Sequence, residues 1–148
     1  MDANQPLFEH TLRCYWEDTD AGGVVFYANY LKFFERARTE WLRALGFNQE
    51  TMRRQDGLMF VVGATSVRYL SPARLDDLLH VTVATRELGR ASMLLFQQAY
   101  RQDASQDGAG QRTLLAEGEI RIGCVNAATI KPTRIPASIV AALQTQDL

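Results

Sequence analysis

Residues 15–45 read YWEDTDAGGVVFYANYLKFFERARTEWLRAL, and the fold turns on this stretch. Its second half has the period of a helix. Tyr30, Phe33, Phe34, Ala37, Trp41, Leu42 and Leu45 recur mostly at three and four residues, with Lys32, Glu35, Arg36, Thr39, Glu40 and Arg43 between them. Gly46 stands where a helix stops on a left-handed residue, and Arg43 complements the dipole in the last turn. The first half cannot be helical in the same way. Residues 17–23 are polar and contain Gly22 and Gly23, which is turn chemistry. The segment therefore brings Glu17, Asp18 and Asp20 to the mouth of a long amphipathic helix.

The flanking sequence alternates as strand. Residues 8–16 form a first strand, with Leu12, Cys14 and Trp16 on one face. After the helix, Asn48 caps a second short helix through residue 54. Residues 58–70 are a long apolar strand ended by Pro72. Leu79, Val81 and Val83 share a face, and residues 93–101 alternate again. Residues 102–112 are a solvated hairpin loop, and residues 114–125 a last strand, with Ala116, Gly118, Ile120, Ile122 and Cys124 against Glu117, Glu119 and Arg121. Pro136 opens a final helix over 137–143. One strand, a helix, then four strands joined by hairpins predict an α+β fold. Its antiparallel sheet curves around one long central helix. The expectation is a single domain over residues 1–148. The run Leu94, Leu95, Phe96 places apolar surface on both sides of its strand, and sheet edges need cover. Both point to a homo-oligomer that continues the sheet.

Composition narrows the function. With 47% hydrophobic residues, 22% charged residues and a net charge of −1, the chain has the profile of a globular protein. It has no one-signed field for nucleic acid or an anionic membrane. Lys32 and Lys131 are the only lysines, so arginine forks would hold any anionic ligand. Cys14 and Cys124 make neither a disulfide framework nor a zinc site. No apolar run reaches bilayer length, the N-terminus lacks a signal-peptide pattern, and the expected compartment is the cytosol.

The acidic cluster has three readings. As a calcium loop it fails at Gly22 and at Asn29, where ligands belong. As structure, Asp and Gly before a helix make a turn and a cap. As chemistry, Asp20 supplies a carboxylate, the small residues 21–23 let a substrate approach the backbone, and the N–H groups around residues 26–28 lack helical partners. One carboxylate plus such donors suffices for an activated acyl group rather than an amide, which points to a thioester. Other machinery is missing. His10 and His80 lie in strands, and there is no nucleophile elbow, phosphate loop, dinucleotide fingerprint or metal-ligand spacing. No metal or cofactor is expected.

The run EDTDAGGVVFYANYLKFFERARTE resembles the signature of hotdog-fold acyl-CoA thioesterases of the 4-hydroxybenzoyl-CoA thioesterase type, closest to the YbgC branch associated with the Tol–Pal system. The likeness extends to residues 69–77, 89–92 and 131–136, which makes a chance match to short motifs remote. The resemblance implies that Asp20 is the catalytic nucleophile or general base and that the Tyr27 backbone N–H polarises the thioester carbonyl. The branch often carries histidine where this chain has Tyr27, so no imidazole role transfers, whereas the backbone donor does. It also implies that Arg90 and Arg134 hold coenzyme A, with Arg74 and Lys131 as further candidates. Implied partners are an acyl-CoA substrate, a second copy of the chain in a dimer or tetramer, and acyl carrier protein or lipid-synthesis enzymes at the inner membrane. The bulk of Phe33, Phe34 and Trp41 points to a short or aromatic acyl group. A non-catalytic acyl-binding or scaffold protein of the same fold remains the alternative.

Overall fold

In the first helix, α1 (Asn29–Ala44), the buried residues are Tyr30, Phe33, Phe34, Ala37, Trp41 and Leu42, the stripe anticipated from the periodicity. Phe47 N donates to Leu42 O at 2.9 Å and Gly46 N to Arg43 O at 3.0 Å, so the last turn closes in a Schellman arrangement. The computed structural model describes residues 8–104 and 110–146. It contains β1 (Phe8–Arg13), a 3-10 turn (Trp16–Asp18), α1, α2 (Gln49–Asp56), β2 (Leu58–Tyr69), β3 (Leu78–Leu88), β4 (Ser92–Gln102), β5 (Arg112–Asn126) and α3 (Ala137–Gln146). The described residues thus hold the three helices that the sequence pattern places, of which α1 is the longest and packs on β1, β3 and β4. Asn48 caps α2 as expected, its Oδ1 accepting from Thr51 N at 3.0 Å.

The five strands form one sheet in the order β1-β3-β4-β5-β2, with every neighbouring pair antiparallel. Leu79, Val81 and Val83 of β3, Met93 and Leu95 of β4, and Ile120 and Ile122 of β5 join Phe33, Phe34 and Trp41 in one buried cluster. Each such side chain contributes about 1.5–3 kcal/mol through burial. Ile139 and Leu143 of α3 enter the same cluster. On β5, Gly118 is required by close approach, because a Cβ there would meet Ser66 O of β2 at 2.7 Å. β2 pairs with β5 alone, with an irregularity between Val62 and Ala64, and its other edge is unpaired among the described residues.

The first strand is shorter than its alternation suggested. It stops at Arg13 because Cys14 is drawn into a loop, its N–H donating to Asp77 O and its carbonyl accepting from Asp76 N. Trp16 was expected on the inner face beside Cys14. It lies instead in the 3-10 turn at 80% exposure, while Cys14 is fully buried. Burial, then Asp77 and Asp18, push the Cys14 thiol up to about 12, which removes it as a nucleophile at neutral pH. The expected loop over 102–112 lies partly outside the described residues.

One buried polar residue ties helix to sheet. Gln97 of β4 is fully buried, and its Nε2 donates to Phe34 O at 3.0 Å and to Thr82 O at 3.3 Å. Its Oε1 accepts from Arg38 Nη1 at 3.0 Å. Removing the amide strands a largely desolvated guanidinium, and an unsatisfied buried partner costs about 1–3 kcal/mol. Gln97→Leu therefore lowers stability by about 2 kcal/mol, read as a lower urea midpoint at unchanged slope.

Candidate active site

Between the 3-10 turn and α1 the chain makes a small hairpin. Thr19 bridges to Val25, Asp20 N donates to Val24 O at 2.9 Å, and Gly23 N donates to Asp20 O at 3.0 Å. Gly23 has a φ of 79°, a conformation that favours glycine. The hairpin is pinned to the segment after β2, Val25 N donating to Ala73 O at 2.8 Å and Val24 bridging to Arg74.

The three acids have different environments. Asp18 is 7% exposed, and its Oδ2 accepts from Tyr15 N at 2.8 Å, which holds the 3-10 turn. Its carbonyl accepts from Phe26 N at 3.0 Å and from Asn29 Nδ2 at 2.8 Å. Glu17 is exposed in the same turn. Asp20 is exposed, and its Oδ1 accepts from Gly22 N at 2.8 Å. That Asx turn fixes the carboxylate while its Oδ2 has no partner among the described residues.

The start of α1 completes the site. Of the donors anticipated over residues 26–28, the Phe26 N–H is already taken by Asp18 O. The N–H groups of Tyr27 and Ala28 have no acceptor among the described residues, and Ala28 at the N-cap position receives no side-chain cap. Two free donors at a positive helix end can receive an oxyanion. Beside them Val25, Tyr27, Tyr30, Tyr69, Leu70, Ser71 and Pro72 line a cavity of about 290 Å³. Tyr69 Oη donates to Tyr27 O at 3.1 Å, and Tyr30 Oη accepts from Ala73 N at 3.1 Å. Burial raises both phenols above the usual tyrosine range; the Ala73 N–H opposes that at Tyr30, while neighbouring Tyr27 adds to it at Tyr69. Sequence reasoning missed these two tyrosines as part of the site. Tyr30 reads as core by its spacing, and Tyr69 lies forty-two residues from Tyr27, with only the 69–77 likeness to flag it. Phe33, Phe34 and Trp41, expected to limit the acyl group, are fully buried in the core and line neither this cavity nor the groove described next.

Arg90 and Arg134 come together elsewhere. With Leu88, Gly89, Ile135, Ala137, Val140, Ala141 and Gln144 they line a groove of about 440 Å³ between the β3–β4 turn and α3. Ile135 N donates to Arg90 O at 2.8 Å, which joins the two arginine-bearing segments. Arg74 does not belong to this groove; it sits beside the Asp20 hairpin, with its N–H donating to Asp77 Oδ2 at 2.8 Å. Lys131 is in the turn after β5, its carbonyl accepting from Asn126 N at 2.9 Å, and also lies outside the groove. His80 is structural: its Nε2 is 2.9 Å from Gln102 Oε1 and its Nδ1 3.1 Å from Thr11 Oγ1.

The family model of the thioesterase-like superfamily matches residues 14–143, which takes in the hairpin, α1, α2, strands β2 to β5 and most of α3. The chain belongs to the thioesterase-like superfamily. Its architecture is the hotdog thioesterase fold, an α+β arrangement with a five-stranded antiparallel sheet. The acyl-CoA thioesterase YbgC of Haemophilus influenzae is 40% identical over 135 residues, 91% of this chain and 93% of that protein. The acyl-CoA thioesterase YbgC of Helicobacter pylori is 37% identical over 125 residues, 84% of this chain and 90% of that protein. Among solved structures, a probable thioesterase from Bartonella henselae superposes with a TM-score of 0.75 at 33% identity. That match covers 86% of this chain and 98% of the other.

The Asx turn gives this superfamily member a point of attack. A Cβ on Gly22 would stand 3.1 Å from Asp20 Oδ1, so the carboxylate must give way. Gly22→Ala is expected to lower kcat for thioester hydrolysis about tenfold with little change in melting temperature, measured by thiol release and thermal unfolding.

Proposed function

We propose that this chain is an acyl-CoA thioester hydrolase in which Asp20 and the start of α1 carry the chemistry. The observation that supports it most is that the short connection into α1 carries both a carboxylate fixed by an Asx turn, that of Asp20, and two N–H groups without an acceptor among the described residues, those of Tyr27 and Ala28. The activity named for the YbgC relatives agrees with it.

The substrate carbonyl accepts from the free N–H groups at the helix start, and Tyr27 is the primary donor. Asp20 then acts in one of two ways. As general base it takes a proton from water, whose oxygen attacks the carbonyl carbon. As nucleophile it attacks directly, and water opens the resulting anhydride. Either path moves the carbonyl electrons onto an oxygen held by the helix-end donors, where one such donor is worth roughly 10²–10³ in rate. Collapse expels the coenzyme A thiolate, which takes up the proton that Asp20 removed from water or, on the anhydride path, the one released when water opens the anhydride; the free acid leaves and the Asp20 carboxylate is restored. A thiolate is a competent leaving group, so no dedicated acid is required.

Arg90 and Arg134 hold the phosphates of coenzyme A at the larger groove, with Arg74 and Lys131 as outlying cations. The tyrosine-walled cavity favours a short or aromatic acyl group. Residues 1–148 act as one unit, with α1 as the helix that the curved sheet encloses. The edge of β2, unpaired among the described residues, supports a homo-oligomer, a dimer at least and a tetramer in the fuller reading. From resemblance, the protein works in the cytosol or at the inner-membrane face, with acyl carrier protein or lipid-synthesis enzymes as partners.

Thiol release measured across acyl chain lengths and with benzoyl-CoA tests the assignment. Asp20→Asn abolishes turnover while its unfolding curve matches wild type; near-normal turnover sinks the assignment. Tight acyl-CoA binding by the wild type without thiol release would establish the non-catalytic alternative instead. Arg90→Ala and Arg134→Ala each raise KM about fivefold with kcat unchanged, the pattern of lost uniform binding.

A further inference from the structure

Tyr69 is the last residue of β2, and the proposed reaction gives its ring a place in the acyl cavity but its hydroxyl no role. It is 46% exposed, yet its hydroxyl is committed, donating to Tyr27 O at 3.1 Å. That carbonyl shares a peptide group with the Ala28 N–H, one of the two free donors. A planar peptide moves as a unit, so whatever holds the carbonyl aims the N–H at its other end. A hydrogen bond to the carbonyl also polarises the group and strengthens its N–H as a donor. The helix itself holds this oxygen weakly, since Tyr30 N reaches it only at 3.3 Å.

The rings brace the same point. Tyr69 stands edge-on to Tyr27, with centroids 5.9 Å apart at 85°, and to Tyr30, 5.5 Å apart at 70°. Tyr30 is itself fixed by accepting the Ala73 N–H. The sheet edge thereby controls the Tyr27–Ala28 peptide.

We infer that Tyr69 is a positioning residue whose hydroxyl holds the Tyr27–Ala28 peptide so that its N–H faces the developing oxyanion. This rests on the thioester-hydrolase reading of the Asp20 site and adds to it a residue that touches no reacting atom.

The test compares Tyr69→Phe, Tyr100→Phe, Asp20→Asn and wild type in one thiol-release assay. Affinity for an S-alkyl thioether of coenzyme A, which lacks the carbonyl, and melting temperature are measured alongside. Tyr69→Phe keeps the ring and is expected to lose about tenfold in kcat, less than outright removal of an oxyanion donor. KM, thioether affinity and melting temperature stay at wild-type values. Tyr100→Phe, whose lost hydroxyl donates to Gln98 Oε1 at 3.0 Å on the sheet face away from α1, retains full kcat. Wild-type kcat in Tyr69→Phe overturns the inference. So does a loss that appears in thioether affinity or melting temperature, since that marks a structural brace. If wild type releases no thiol or Asp20→Asn stays active, the hydrolase reading falls and takes the role of Tyr69 with it. A dead Asp20→Asn beside a fully active Tyr69→Phe removes the role of Tyr69 alone.

Discussion

A helix cannot satisfy the N–H groups of its own first turn, and the site is organised around that deficit. Asp18 relieves part of it. Its carbonyl takes the Phe26 N–H and the Asn29 side-chain amide, and its carboxylate holds the preceding 3-10 turn. The side chain best suited to cap α1 is thus turned back toward Asp18, and Ala28 at the cap position has nothing to offer. The N–H groups of Tyr27 and Ala28 are left without an acceptor among the described residues. A structure selected for helix stability alone would place Ser, Thr, Asp or Asn at that cap, worth about 1 kcal/mol.

An uncapped helix start needs support from elsewhere, and the sheet provides it. The inner face of α1 is locked by close packing on β1, β3 and β4 and by Gln97, which accepts from Arg38 and donates to the Phe34 carbonyl. These contacts set the axis and rotation of the helix. The end of β2 and the segment after it add local restraint, with Tyr69 donating to Tyr27, and Ala73 accepting from Val25 and donating to Tyr30. The uncapped helix start is therefore held by side chains and by a neighbouring loop.

The cation-bearing groove obeys a different logic. Arg90 and Arg134 come from the β3–β4 turn and from the segment before α3, joined through the Ile135–Arg90 backbone bond. It shares no lining residue with the tyrosine cavity. Among the described residues the outer edge of β2, which carries Tyr69 at its end, is unpaired.

The sequence by itself determined most of the secondary-structure elements and the likeness to acyl-CoA thioesterases. The three- and four-residue spacing placed α1, alternation placed β3, β4 and β5 nearly to their ends, and Asn48 marked the cap of α2. Local physics governs these features, because helix and strand periods are written in neighbouring residues. Asp20 was distinguishable from Glu17 and Asp18 through likeness to a family motif, since all three are acids in one turn. Tertiary structure decided what depends on partners distant in the chain. Trp16 turned outward because Cys14 is captured by residues 76 and 77. Arg74 separated from Arg90 and Arg134 because its loop packs on the Asp20 hairpin. Tyr69 reached Tyr27 only because β2 runs to the sheet edge and ends beside the start of α1. Such contacts depend on strand order and register, which no local pattern encodes.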